Sequence, residues 1–379
     1  MGISGEEYRT PAPTRAVLER GSGRNGNANE PDIEGTRGDK WQRWTPSERE
    51  RFIDAAVVHW RQKGFPYYSL TNQQVESEIG HLRGYDPCRT LRGQEILANN
   101  LGLRLVNAFH PQMWHVRCTR YHSPYETFCD NRALGKAIRK ALQIWPDRYG
   151  ANGSSLRRML KSFSNTVAVS NFRPTAAMGI LHLYSPLGGR VLDFAAGYGG
   201  RLAAAQVMAR QYVGIDAGVL QVKGLTRLAR RLQQSCPSAT AEIRRAAAED
   251  LMPHLESGSF DLIFSSPPYF HREKYGEEPE QSFRRYPSLQ EWYQGFLAPV
   301  IKQSARLLRR DGFLVLNVNE GTEGIATVVR EMARKDFRIE TEWRMRLAKL
   351  PYKRSSSAEA YKWEPVIALQ KRNRKGFLS

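Results

Sequence analysis

The feature that most constrains the fold is a change of texture at Arg190. From there, short apolar runs alternate with longer helical patterns. VLDFAA (191–196), QYVGIDA (211–217), AEIRRAA (241–247), FDLIFSS (260–266) and GFLVLNV (312–318) read as strands. Helical patterns lie between them, most clearly EWYQGFLAPVIKQSARLLRR over 291–310. Strands that pair in parallel need crossover connections, so the alternation predicts a parallel sheet with helices on both faces. The last two runs, FRIETEWRMRL and YKWEPVIALQK, have no helix between them and predict an antiparallel hairpin at one edge. The expected fold class is α/β: a doubly wound, mostly parallel sheet of seven strands.

Upstream the pattern is different. Residues 1–40, rich in Gly, Asn, Pro and Arg, show no apolar period and are expected to form a disordered tail. Thr45-Pro46-Ser47-Glu48 has the form of a capping box and predicts a helix to about Lys63. Further helices are expected over Asn72 to Leu82 and Asn131 to Ile144. The chain therefore divides into a tail (1–40), a smaller, mostly helical domain (41–165) and the α/β domain (166–379).

Net charge is +19. Residues 1–45 are balanced, 46–150 hold fifteen basic against ten acidic side chains, and 151–379 hold 35 against 21. The excess thus lies in the folded part, which favours a polyanionic partner, nucleic acid above all. No apolar run approaches the roughly 20 residues of a membrane helix, and no membrane partner is expected. The first residues lack the apolar core of a signal peptide, and Glu6 stands where a myristoylation signal wants Ser or Thr. Four cysteines suit a reducing compartment. The expected location is the cytoplasm.

VLDFAAGYGGRL (191–202) ends the first strand in Asp193 and opens a helix with Gly197, Gly199 and Gly200. Glycines let the backbone turn tightly and approach a ligand at the carboxyl end of a sheet. Asp216 ends the second strand, where a carboxylate takes both hydroxyls of a ribose. Glu249 and Asp250 follow the third strand, where an acid can meet an adenine amino group. Three acidic strand ends in order predict a nucleoside ligand. The glycine spacing does not fit the dinucleotide fingerprint, and Asp193 would repel a pyrophosphate. It suits a ligand with a positive amino or sulfonium group.

The run FDLIFSSPPYF (260–270) turns hard at two prolines after a buried strand. With the glycine turn upstream, it resembles the S-adenosylmethionine-dependent DNA amino-methyltransferases, which methylate N4 of cytosine or N6 of adenine. Ser266-Pro267-Pro268-Tyr269 matches that family's four-residue motif position for position, and the resemblance covers about 165–372. It implies a Rossmann-like methyltransferase sheet with S-adenosylmethionine as cofactor. It implies that Ser266 Oγ and the Pro267 carbonyl accept hydrogen bonds from the target amine, that Pro267 and Pro268 hold those acceptors rigid, and that Tyr269 stacks on a base flipped out of duplex DNA. It assigns Asp193, Ala195, Gly197 and Gly199 to the cofactor turn, Asp216 to the ribose, Glu249 or Asp250 to the adenine, and Asn171 with Phe172 to the methionine end. Ser in the first position favours N4 of cytosine over N6 of adenine; RNA amino-methyltransferases share the motif. The resemblance also implies a bacterial or phage-encoded, nucleoid-associated protein, and leaves a restriction nuclease as partner open.

The sequence departs from the family at the turn, where many members read Asp-Pro-Phe-x-Gly-x-Gly and this chain places Ala195 at the aromatic position. No room for a recognition domain remains after Tyr269. Target recognition is therefore expected from 45–165, helped by Arg284 and Arg285 and by the hairpin loop carrying Lys349, Lys353 and Arg354. His110, His115, Cys118, His122 and Cys129 fall within twenty residues, but their spacing fits no zinc module and packing is the expected role, with no metal. Pro87-Cys88 lies upstream of the cofactor turn, in the wrong order for a C5-cytosine nucleophile, so Cys88 is read as structural.

Overall fold

A computed structural model describes residues 32–118, 121–144, 150–166, 168–270, 273–319, 324–349 and 361–372. The chain forms two compact units. Among the described residues, one holds those of 32–69 and 111–170 and the other those of 70–110 and 171–372.

In the first unit, Thr45 and Glu48 close the expected capping box reciprocally, and the helix Pro46–Lys63 follows. It packs with Asn131–Ile144 and Gly153–Ser162 around Trp41, Phe52, Trp60 and Phe128, all buried. Trp60 Nε1 donates to the Ala151 carbonyl at 3.2 Å, so its one polar atom is satisfied inside. Packed structure begins earlier than the composition suggests: Ile33 and Thr36 are buried, and Thr36 Oγ1 donates to the Asp32 carbonyl at 2.6 Å. The remainder of the expected tail, 1–31, lies outside the described residues.

Among the described residues of the second unit, nine strands form one sheet. They are β1 (Leu91–Arg92), β2 (Glu95–Ile96), β3 (Arg190–Asp193), β4 (Gln211–Asp216), β5 (Thr240–Arg245), β6 (Phe260–Ser265), β7 (Leu308–Asn317), β8 (Phe337–Lys349) and β9 (Tyr361–Lys371). Their order is β1-β2-β8-β9-β7-β6-β3-β4-β5. Strands β3 to β7 are mutually parallel, and β9 inserts antiparallel between β7 and β8. This is the expected doubly wound, mostly parallel α/β sheet, with its seven strands in place and the antiparallel hairpin at one side. Two strands are additional: the β1–β2 hairpin extends the sheet by parallel pairing of β2 with β8.

Those extra strands come from 70–110, which the sequence reading assigned to the helical domain. The correction has a packing cause. Helix α1 (Asn72–Arg83) buries Val75, Ile79 and Leu82 within the sheet unit, and Ile96, Leu105 and Val106 are likewise buried. Gly179 lies in α2 (Pro174–Tyr184), where a Cβ would meet Thr90 Oγ1 at 2.5 Å. Its missing side chain admits the hairpin. The sheet core is aliphatic: Leu192, Ile263, Leu314, Leu316 and Ile367 are fully buried, each burial stabilising by about 1.5–3 kcal/mol.

Candidate active site

Strand order reverses between β3 and β6: β4 and β5 extend one way, β7 and its neighbours the other. In open α/β sheets the ligand crevice lies at the carboxyl ends of the strands at such a switch point. The glycine turn leaves β3 there, and Ser266-Pro267-Pro268-Tyr269 leaves β6 there. Ser265 ties them together: its Oγ accepts from the Ala195 amide at 3.1 Å and donates to Asp193 Oδ1 at 2.8 Å.

Asp193 does not face a ligand. It is fully buried, and Arg201, from α3 (Gly200–Val207), grips it through Nε at 2.6 Å and Nη2 at 3.1 Å. Tyr212 OH donates to Oδ2 at 2.7 Å, and the Ala195 amide reaches Oδ1 at 3.3 Å. Two carboxylate oxygens offer about four lone-pair sites, and these donors fill them. The expected role beside a positive ligand gives way to an organising one. Burial, then the Asp193 charge, pushes the Tyr212 phenol well up, so it stays a donor. Arg201 Nη2 also donates to the Ala195 carbonyl at 2.5 Å, and its guanidinium lies over Phe172 (5.4 Å) and Phe264 (5.8 Å).

The glycines differ in purpose. Gly197 has φ +58°, and a Cβ there would meet only the Ala195 carbonyl at 3.8 Å, so the space above it is open. Gly199, with φ +80°, turns toward the core, where a Cβ would lie 2.6 Å from Leu228. At Gly200 a Cβ would lie 1.9 Å from the Phe172 carbonyl. Asn171 and Phe172 are therefore brought to the turn. The Asn171 side chain accepts from the Gly200 amide (3.1 Å) and donates to the Tyr198 carbonyl (2.7 Å).

Asp216 lies at the end of β4, half-buried. Gly197 N–H donates to Oδ2 at 2.8 Å and Gly218 N–H to Oδ1 at 2.9 Å. Burial raises its carboxyl to about 6, against the pull of those amides, and the charges of Asp193 and Glu278 add to the rise. Each oxygen keeps acceptor capacity, the condition for holding a ribose diol. This fits a nucleoside: open space over Gly197, a twofold acceptor beside it, and a backbone aimed from the turn.

Glu249 and Asp250 are engaged by groups predicted for another purpose. Arg285 Nη1 donates to Glu249 Oε1 and Asp250 Oδ2, both at 2.8 Å, and Nη2 to Asp250 Oδ1 at 3.1 Å. Arg285, expected on nucleic acid, is thus held by two carboxylates because it sits over the acidic helical turn Ala248–Leu251 that follows β5. Arg284 pairs with the Glu277 carboxylate. Tyr286 OH bridges Glu249 Oε1 and the Gly295 carbonyl, each at 2.9 Å. Gly295 belongs to a π-helical turn, Tyr293–Leu297, and a Cβ there would strike the Tyr286 ring at 2.1 Å. Glu249 is the buried acid, its carboxyl raised by burial; Asp250 is largely exposed. Glu278 Oε1 accepts from the Val219 amide (2.8 Å) at the start of α4 (Val219–Ser235).

At the motif, Pro267 is buried and Ser266, Pro268 and Tyr269 are half-buried. Ser266 Oγ lies 3.4 Å from Tyr269 OH. The Phe270 amide donates to the Pro268 carbonyl at 3.0 Å, and Phe270 takes φ +46° to close that turn. Burial, then the Glu364 charge, pushes the Tyr269 phenol well up. Lys349 ends β8, opposite Tyr361, at the same rim; Lys353 and Arg354 lie outside the described residues.

Sequence reasoning passed over Arg201, which stands directly after the glycines. His110 packs edge-on to Tyr198 (5.7 Å) and against Gly224, where a Cβ would meet it at 2.4 Å. Burial, then the Arg227 charge, lowers it to about 3. It belongs to the sheet unit, while His115, Cys118, His122 and Cys129 belong to the helical one. There His115 stacks on Tyr125 at 4.1 Å. Among the described residues no group of three or more His, Cys, Asp or Glu is placed to hold a metal ion, and no helix is long and apolar enough to cross a membrane. Burial, then Asp86, raises the Cys88 thiol, which is not the state of a nucleophile.

No family model and no curated protein matches the chain. Among solved structures, an S-adenosylmethionine-dependent O-methyltransferase from Thermotoga maritima is 15% identical with TM-score 0.35, over 55% of this chain and 68% of that one. TrmN from Thermus thermophilus is 15% identical with TM-score 0.37, over 63% and 78%. NSun6 from Pyrococcus horikoshii, solved with SFG, is 15% identical with TM-score 0.38, over 58% and 63%.

Proposed function

We propose that this chain transfers a methyl group from S-adenosylmethionine to the exocyclic amino group of a flipped base in DNA, at N4 of cytosine. One observation carries the reading: an acceptor motif and a glycine turn leave adjacent parallel strands at the switch point, joined through Ser265. Asp216 would hold the ribose, Gly197 admits the cofactor backbone-close, and Glu249, oriented by Tyr286 and Arg285, would meet the adenine. The cofactor would supply an electrophilic methyl on sulfur. The chain's own work is to prepare the amine. Its lone pair is delocalised into the ring, and two acceptors aimed at its hydrogens draw that pair out as the nitrogen becomes tetrahedral. Ser266 Oγ and the Pro267 carbonyl would be those acceptors, aligned in advance by the prolines. Tyr269 would stack on the base.

The polymer reading draws on the charge excess and on the rim hairpin, where Arg344 lies over Trp363 at 4.6 Å and Arg346 over Tyr361 at 4.7 Å. Aromatic and guanidinium faces together suit bases and phosphates.

The test is incubation with S-adenosylmethionine and unmethylated duplex DNA, digestion to nucleosides and mass spectrometry. N4-methylcytosine supports the full reading. N6-methyladenine, or product only on RNA, corrects the base or the polymer. No product on DNA, RNA or single strands refutes the enzyme and leaves a binding scaffold. Ser266→Ala should slow single-turnover methylation about 100-fold, the scale of one lost pre-aligned hydrogen-bonding group, with cofactor binding by calorimetry unchanged.

A further inference from the structure

The proposed chemistry needs a base that its motif lacks. When the amine's lone pair bonds the methyl carbon, the carbon–sulfur electron pair stays with sulfur. The nitrogen is then left cationic, with a proton to lose. A carboxylate in the first motif position could take it. A serine hydroxyl accepts a hydrogen bond but is too weak a base to hold a proton at neutral pH.

A carboxylate stands beside the motif on another strand. β6 pairs with β7 through Ser265 opposite Leu316, and β9 pairs with β7 through Ile367 opposite Leu316 and Val366 opposite Asn317. Asn317 is thus one step beyond Ser265's partner, level with Ser266. Glu364 precedes Val366 by two residues, so it shares Asn317's face and lies nearer the rim. The contact is direct: Asn317 Nδ2 approaches Glu364 Oε2 at 3.4 Å and the Pro365 carbonyl at 3.3 Å. Glu364 is half-buried, and after burial its charge helps push the Tyr269 phenol up. In the strand YKWEPVIALQK it is the one acid.

Resting on the methyltransferase reading above, we infer that Glu364 is the catalytic base that removes the proton from the methylated amine. The nitrogen's N–H electrons return to the amine as the proton passes to a Glu364 oxygen, and the proton leaves to solvent after product release. Asn317 is a positioning residue that fixes the carboxylate's rotamer. The titratable and charged groups around it are the Tyr269 phenol, with Glu273 and Arg201 acting on the same phenol. Lys362 is on its own strand, and Arg344 and Arg346 flank its cross-strand partner Met345.

The test compares wild type, Glu364→Gln and Glu364→Asp by single-turnover methylation across pH 5 to 9. Calorimetric binding of S-adenosylmethionine and of the substrate oligonucleotide is measured alongside. Glu364→Gln should lose about 100-fold in rate, within the usual range for a general base, with both affinities and Tm unchanged. With S-adenosylmethionine saturating at every pH, so that protonation of Asp216 does not limit the rate, its acid limb, the fall in rate as the carboxylate protonates, should vanish. Glu364→Asp should recover part of the rate and keep the limb. A Gln variant within twofold of wild type, or one that loses rate only in step with affinity or Tm, overturns the assignment. If wild type itself methylates nothing, the underlying reading fails and takes this one with it; if wild type methylates and Gln matches it, only Glu364 falls.

Discussion

Asp193 shows how a residue legible as functional can be consumed by the fold. A carboxylate beside a glycine turn suggests a ligand contact, yet the Arg201 fork, Tyr212 and Ser265 exhaust it. Both partners are almost wholly buried, at 7% and 0% side-chain exposure. Arg201→Met should therefore cost about 3–5 kcal/mol in urea unfolding, because it strands a buried charge. Adding Asp193→Asn to Arg201→Met should restore part of that loss, the mark of direct coupling. Asp216 gives a second residue-scale expectation. Its carboxyl is raised to about 6 in the fold against an ordinary 3.8, so the folded state binds the proton more tightly than the unfolded chain. Its contribution to stability is then full below about pH 4 and is lost as pH rises through about 6. Ligand binding runs the other way, since a ribose diol needs the ionised acceptor. Calorimetric affinity for S-adenosylmethionine should fall as pH drops from 7 to 5, and Asp216→Asn should bind weakly with that dependence gone.

At the scale of elements, the turn between β3 and α3 combines two kinds of glycine, and substitution separates them. Gly200→Ala places a Cβ 1.9 Å from the Phe172 carbonyl, a backbone atom that cannot step aside. It should lower Tm sharply with or without ligand. Gly197→Ala meets nothing closer than 3.8 Å but takes φ +58°, at a cost of roughly 1–2 kcal/mol. The fold should survive while cofactor affinity falls at least tenfold, because the new methyl enters the open space. Thermal melts and calorimetry on both variants check this. Many of the strands and helices were readable in advance, although β7 starts at Leu308, inside the expected helical pattern 291–310. The helix Asn131–Ile144 falls at its expected ends, and β3, β4, β5 and β6 start within one residue of their apolar runs, since local periodicity decides such elements. The π-helical turn Tyr293–Leu297, with Tyr286 packed on Gly295, was not readable from local periodicity.

At the scale of the whole molecule, segment 70–110 belongs with the sheet, though composition grouped it with its helical neighbours. Val75, Ile79, Leu82, Ile96, Leu105 and Val106 are all buried there, each worth about 1.5–3 kcal/mol. Their sum rivals the roughly 5–15 kcal/mol that stabilises a whole domain. A fragment of residues 166–379 should therefore lack a cooperative thermal transition by calorimetry, whereas the full chain shows one. Legible in the sequence were the α/β class, the succession of strands along the chain and the two motifs, because each depends on residues near in sequence. Tertiary structure alone decided which acids remain open to a ligand and which are spent on arginines, which glycines serve the ligand and which the packing, and that β1 and β2 complete the sheet. Those outcomes depend on contacts between residues as far apart as Ser265 and Asp193, or Ile96 and Met345, whose meeting no local pattern encodes.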